Sequence, residues 1–329
     1  MEGITGHLFR STFTRYFGTA DAYYTPFISP NTKESFSHRA LSDILPEHNQ
    51  GMNLVPQILT NDPELFLGTA KTLQSYGYQT VNLNLGCPSK TVTGKKKGSG
   101  LLLYPEELEE FLDRIFSGTE MKISIKTRIG FHSEEEFAEL LSIFNHFPID
   151  ELIVHPRLQK EYYQGSVHLD AFALAERSSS APLCYNGDIL TLHDAQRIAE
   201  QFPRVKHVMI GRGFLKNPWL LKELSGCSDA DRKDLTCFHD ELLAAYCAAF
   251  DGDRAFLSKI KELWYYLAGL FPDAGREIRE ICKAERMSVY RSKVEALFSH
   301  AKLVIPESDG LTKDNAERQP GGSENQAET

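Results

Sequence analysis

The chain has no paired cysteines, no long apolar run and no excess of positive charge, and each absence removes a class of protein. Its six cysteines, Cys87, Cys184, Cys227, Cys237, Cys247 and Cys282, are scattered without a CxxC pair. That argues against a zinc site, a redox dithiol or a disulfide framework, so reduced thiols and no metal are expected. No segment approaches the roughly 18 consecutive apolar residues of a membrane span. Met1-Glu2-Gly3-Ile4-Thr5 has neither a basic region nor an apolar core of signal-peptide length. A soluble cytoplasmic protein with no membrane and no obligate protein partner is expected. No GxGxxG element follows a strand, which leaves out a dedicated dinucleotide domain. There is also no internal repeat beyond βα alternation.

Lys and Arg number 36 against 45 Asp and Glu, a formal charge of -9, which on average disfavours a phosphate-rich partner. The average hides a pattern. Acidic residues crowd the end (Glu307, Asp309, Asp314, Glu317, Glu324, Glu328), whereas Lys95-Lys96-Lys97 and the stretch near Arg276 are positive. Nucleic-acid contact stays open.

At 329 residues the length suits one large domain with an appendage. Short β-rich runs alternate with amphipathic stretches to about Leu224, and seven strands are expected: Ala22–Ser29, Asn53–Thr60, Thr80–Gly86, Lys122–Gly130, Glu151–Arg157, Pro182–Asp188 and His207–Gly213. Helices start at Asp62-Pro63, at Tyr104-Pro105, at Ser133 with Glu136, and at Thr191. The pattern fits either an eight-stranded (β/α) TIM barrel with a partial first strand or an open doubly wound sheet. Gln57, Asn84 with Cys87, Lys126 with Arg128, His155 with Arg157, Asn186-Gly187-Asp188 and Gly211-Arg212-Gly213 all fall at carboxyl ends of strands. Only a barrel gathers those ends around one axis, so the fold class is read as α/β, a TIM barrel followed by a small helical bundle. The expected division is a catalytic barrel over 1–226, a helical domain over 227–305 and a disordered acidic tail over 306–329.

Cys87 lies just past the strand that Pro88 terminates, and an ordinary thiol is mostly protonated at neutral pH. It serves a general acid or a nucleophile equally well, and the bland alternative is a small buried hydrophobe. The glycine-flanked ends Asn186-Gly187-Asp188 and Gly211-Arg212-Gly213 sit where barrels commonly hold phosphate, although Asn-Gly-Asp is also a good turn. Lys126 and His155 on neighbouring strands suit the polar edge of a ring cofactor and its phosphate, and Gln57 offers both donor and acceptor to its rim. Arg276, Arg279, Lys283 and Arg286 recur at helical spacing, as either a phosphate-backbone track or a solvated face.

These residues resemble the dihydrouridine synthase family, flavin enzymes that reduce uridine in transfer RNA. The resemblance rests on Met1-Glu2-Gly3-Ile4-Thr5 with Phe9-Arg10, Val55-Pro56-Gln57, Asn84 to Pro88, Gly98-Ser99-Gly100, Lys126 to Gly130, His155-Pro156-Arg157, Asn186 to Ile189, and Ile210 to Gly213 with Asn217-Pro218-Trp219. It implies that Gln57, Lys126, His155, Asn186, Gly187, Asp188, Gly211 and Arg212 bind FMN. It makes Cys87 the catalytic acid and has Asn84 orient the uracil. Arg157, Lys90 and Lys95 are RNA candidates, beside the helical track. NADPH is the expected reductant, visiting the flavin without a domain of its own. Two features depart from the family: the apolar residues that usually precede Met-Glu-Gly and form the first barrel strand are missing, and Gly6 replaces an acidic residue. The rival readings are another FMN barrel oxidoreductase acting on a small molecule and a non-catalytic RNA-binding relative.

Overall fold

The computed structural model describes residues 1–31, 36–227 and 229–306. Its strands are β1 (Tyr23–Tyr24), β2 (Leu54–Val55), β3 (Gln57–Ile58), β4 (Thr80–Leu85), β5 (Lys122–Gly130), β6 (Leu152–Leu158), β7 (Leu183–Tyr185) and β8 (His207–Val208). All pairings are parallel, in the order β1-β2 and β3-β4-β5-β6-β7-β8. Pro56 separates β2 from β3, but its carbonyl still accepts from Asn82 N at 2.9 Å, so the two strands are one stave. A bridge from Ile28 to Ile58 prolongs the first stave. Helices Pro63–Ser75, Pro105–Gly118, Glu136–Phe144, Leu169–Ser178 and Leu192–Gln201 alternate with the strands. The architecture is a TIM barrel with a helical region after it.

Three expectations need correction. The first expected strand, Ala22–Ser29, is regular only at Tyr23–Tyr24, because Pro26 lacks the N–H a ladder needs. Strand β8 ends at Val208, and Arg212 opens the short helix Arg212–Lys216 instead of ending a strand. Among the described residues the sheet has seven staves and no ladder joins β8 to β1. Side chains span that seam at the floor: Glu151 accepts from Tyr24 Oη at 3.2 Å and lies 2.6 Å from His207 Nδ1.

The helix starts follow local chemistry. Asp62 Oδ1 accepts from the amides of Glu64 and Leu65, with Pro63 in the first turn. Thr191 and Asp194 cap each other reciprocally. Apolar faces such as Leu108, Phe111, Leu112 and Ile115 are buried against the sheet.

A second core forms from helices Arg232–Ala249, Asp253–Leu267, Gly275–Lys283 and Met287–His300. The first helix, His7–Phe17, joins it: the rings of Phe9, Phe13 and Phe17 lie 5.7, 6.0 and 5.2 Å from Phe238. Trp219 also belongs to this core, its ring 5.7 Å from Phe17. The chain's first helix thus fastens the barrel to the helical region. No helix of the described residues is long and apolar enough to cross a membrane. The expected acidic tail, apart from Pro306, lies outside the described residues.

Candidate active site at the barrel mouth

The inner wall of the barrel carries a polar ladder across three staves. Gln57 Nε2 donates to Asn82 Oδ1 at 2.8 Å, Asn82 Nδ2 donates to Ser124 Oγ at 2.9 Å, and Asn84 Nδ2 donates to Gln57 Oε1 at 2.7 Å. Asn84 then uses its own carbonyl oxygen to accept from the amides of Gly86 (3.0 Å) and Cys87 (2.9 Å). One side chain therefore ties the wall to the turn that carries the sulfur. The loop behind is folded tightly on that turn: Ser99 donates to the Cys87 carbonyl, and a Cβ on Gly98 would lie 2.8 Å from the same oxygen. Gly98 also has φ +57°, so glycine is required twice over. Cys87 is half-buried, and burial pushes its thiol up against the smaller opposing effects of the Ser89 amide and Arg128.

Lys126 stands one strand away, its ammonium 3.9 Å from where a Gly86 Cβ would be. Burial, then the nearby Arg128, lowers it to about 8. Among the described residues it makes no hydrogen bond or ion pair, so an unpartnered cation faces the mouth. His155 is buried and pushed well below its ordinary value, first by burial and then by Lys126, Arg128, Arg157 and Arg212. Arg157 Nη1 donates to His155 Nε2 at 3.2 Å, and because guanidinium only donates, the proton of the neutral ring is on Nδ1.

The loops after β7 and β8 interlock. Asn186 Nδ2 donates to Met209 O at 2.7 Å, and a Cβ on Gly213 would fall 2.1 Å from the Ile189 carbonyl. Asp188, at φ +37°, accepts from Arg157 Nη1 at 3.0 Å and from Arg212 Nη2 at 3.1 Å, and its other oxygen pairs with Arg157 Nη2. Gly187 packs against Tyr185 and Val167, and Gly211 precedes the Arg212 helix beside Met1. The structure thus brings Gln57, Asn84, Cys87, Lys126, His155, Asn186, Gly187, Asp188, Gly211 and Arg212 to one end of one barrel.

Other expected residues lie elsewhere or act differently. Arg157, expected at RNA, is about 1% exposed; its donors go to Asp188, His155 and the carbonyls of Gln164 (3.2 Å) and Gly165 (2.6 Å). It supports the mouth from within. Lys90 and Lys95 are exposed on the loop beyond Cys87, whereas Lys96 pairs with Glu107 and covers Tyr104. Arg276, Arg279, Lys283 and Arg286 are exposed on and after helix Gly275–Lys283, in the helical region rather than on a barrel stave.

Arg128 and Tyr163 were not expected to matter in this way. Arg128 is buried and donates to Gly86 O (2.9 Å), Leu158 O (2.9 Å) and Tyr162 O (2.6 Å), binding the Cys87 turn to the loop after β6. Tyr163 is 52% exposed, with the Arg212 and Arg128 guanidiniums 4.5 and 5.4 Å from its ring centre. The Lys-x-Arg spacing pointed to the mouth, but nothing local signals partners thirty residues away. The departure at Gly6 also has a physical account. A Cβ there would lie 2.9 Å from Asp43 Oδ1, and that oxygen accepts from the His7 amide at 2.6 Å. A carboxylate from elsewhere in the chain caps the first helix.

The fold and the site define a TIM-barrel enzyme with a thiol, an ammonium without a hydrogen bond among the described residues, and the glycine-containing loops after β7 and β8 gathered at one end of the barrel. The family model for dihydrouridine synthase matches residues 1–315, and the chain belongs to that family of oxidoreductases. Among its relatives, tRNA-dihydrouridine synthase B of Pasteurella multocida is 28% identical over 232 residues, covering 70% of this chain and 69% of that one. A probable tRNA-dihydrouridine synthase of Staphylococcus aureus is 30% identical over 280 residues, covering 82% and 83%. A histamine dehydrogenase from Rhizobium sp. 4-9 shares the fold alone, with TM-score 0.50 and 10% identity over 80% of this chain and 48% of its own.

The mouth fits a flavin of the FMN type. The unpartnered Lys126 offers a positive charge to an electron-rich ring edge, and the N-terminal turn of the Arg212 helix, with Arg212 itself, suits a phosphate. Among the described residues no group of three His, Cys, Asp or Glu gathers to hold a metal.

Proposed function

We propose that this chain reduces the C5–C6 double bond of a uridine in transfer RNA, with FMN as the bound cofactor, NADPH as its reductant and Cys87 as the acid. The names of the relatives support transfer RNA as the substrate. The observation that carries the reading is the placement of Cys87: its turn is fixed by Asn84 on one side and Arg128 on the other, at the mouth that Lys126 and Arg212 make positive. When bound and reduced, FMN would supply the hydride that adds at C6 of the uracil. Cys87 gives its proton to C5, since a thiol held up by burial stays protonated until electron density develops beside it. Lys126 and Arg128 then favour the thiolate that remains.

Asn84 orients the uracil while holding the sulfur in place. Gln57, Lys126, His155, Asn186, Gly187, Asp188, Gly211 and Arg212 hold the cofactor. The uridine must leave its stack to reach this depth, as bases acted on by enzymes commonly do. Residues 1–226 form the catalytic unit and 227–305 the unit that holds the RNA, with Lys90, Lys95, Arg276, Arg279, Lys283 and Arg286 against its backbone. A transfer-RNA substrate supports the cytoplasm as the location of the protein.

The test is mass spectrometry of transfer RNA incubated with the protein and NADPH. A gain of two hydrogens at one uridine is expected. Cys87→Ala is expected to keep the flavin spectrum while lowering turnover by about 10²- to 10⁴-fold; full turnover in that variant removes the assigned acid.

A further inference from the structure

We propose that His168 is a positioning residue for the mouth, a two-ended clasp between Glu134 and Glu161 that holds the Tyr163 loop closed. Its consequence for catalysis rests on the functional reading above. The ring nitrogens lie 2.7 Å from Glu134 Oε1 (Nδ1) and 2.8 Å from Glu161 Oε1 (Nε2). The Nε2 contact with Glu161 is a hydrogen bond, and Nδ1 lies at ion-pair distance from Glu134. These two carboxylates are the ionisable side chains that bond His168 among the described residues, and they come from different segments. Glu134 lies in the turn after β5 and Glu161 in the short helix Gln159–Glu161 after β6, while His168 begins the turn into helix Leu169–Ser178.

What the clasp encloses is the part of the mouth that local sequence does not fix. Glu161 also accepts from Leu158 N at 2.7 Å, and His168 N donates to Pro156 O at 2.8 Å, so both ends of the loop are anchored. Between them, Tyr162, Gln164 and Gly165 give their carbonyls to Arg128 and Arg157. Tyr162 sits at φ +53°, a left-handed conformation that a bulky residue keeps only when its surroundings impose it. Tyr163, next in sequence, is thereby laid across Arg212 and beside His155, its ring 6.2 Å from the imidazole. Without the imidazole the two carboxylates lose the group that lies between them, and the clasp opens. The loop then releases Tyr163 from the place where the substrate enters.

The experiment is hydrogen exchange of residues 159–168 in the full chain, corrected for intrinsic rate, together with KM for transfer RNA and kcat. His168→Phe keeps a ring and removes both ring nitrogens. Its loop amides are expected to exchange about tenfold faster, the scale of one charge-assisted hydrogen bond, with KM raised and kcat within about twofold. His168→Arg brings a donor fork between the same two carboxylates and is expected to restore protection. Unchanged protection in His168→Phe overturns the clasp, as does equal exchange in the Phe and Arg variants. Should His168→Phe fail to fold, Glu134→Gln weakens one end and must still speed exchange. A natural chain that leaves transfer RNA unreduced refutes the functional reading, while the exchange measurements still decide the clasp.

Discussion

The cations at the barrel mouth and those along helix Gly275–Lys283 are alike in number and unlike in what they touch. Arg128 and Arg157 are buried, and their donors are spent on carbonyls of neighbouring loops, on His155 and on Asp188. On the helix, Arg276 meets Glu280 at 3.4 Å, while the side chains of Arg279, Lys283 and Arg286 make no hydrogen bond or ion pair among the described residues. Braced charges fix shape, because removing one leaves polar groups buried without partners. Unbraced charges supply a field that salt weakens. The two groups therefore answer to different measurements.

The largest effect is expected from Arg128→Met, which leaves three carbonyls without their donor. A loss of about 3 kcal/mol or more in urea unfolding is expected, and a loss below about 1 kcal/mol breaks the distinction. Replacing Arg276, Arg279, Lys283 and Arg286 together by Ser is expected to leave stability within about 1 kcal/mol. The slope of log affinity for transfer RNA against log salt is instead expected to shrink by about 0.7 per charge removed. An unchanged slope takes the helix out of the RNA path.

Lys126 sharpens the comparison through pH. Its folded value of about 8 lies below the ordinary 10.5, so the charged form disfavours the folded protein. Unfolding free energy, without ligand, is expected to rise as pH climbs between those two values. Affinity for FMN is expected to fall over the same range as the ammonium loses its proton, by up to about tenfold per pH unit. Lys126→Met is expected to flatten both curves; slopes that persist in the variant assign them to another group.

The smallest effect belongs to Asp43, which joins the first helix to the barrel. Burial pushes its carboxyl up, but the His7 hydrogen bonds and Arg10 outweigh that and leave it below its ordinary value. Its contribution is present above the ordinary carboxylate range and lost as pH falls through the lowered value. Asp43→Ala is expected to cost about 1 kcal/mol, typical of a lost helix cap. The same thermal midpoint at neutral pH in both proteins ends that assignment.

Strands bounded by clear breakers were legible: Lys122–Gly130 runs as expected, and Thr80–Leu85 differs by one residue. Pro26 and Pro56 shorten regular pairing in the first two staves to two residues each at β1 and β2, because proline has no N–H for a ladder. The gathering of Cys87, Lys126, His155 and Arg212 followed from barrel topology, since Lys126 and His155 lie within neighbouring staves while Cys87 and Arg212 lie just beyond the ends of theirs. What could not be read was the bracing. Glu134 and His168 are separated by 34 positions, and the partners of Arg128 lie in two other loops; no periodicity links them. Arg157 looked like a free cation at a strand end because composition cannot show that Asp188 folds onto it.

Glu151 joins Tyr24 and His207 at the end of the barrel opposite the thiol. The cylinder is latched at its base by side chains, not by a continuous ring of backbone pairing. Substitutions in the loops that carry the thiol therefore leave this fastening untouched.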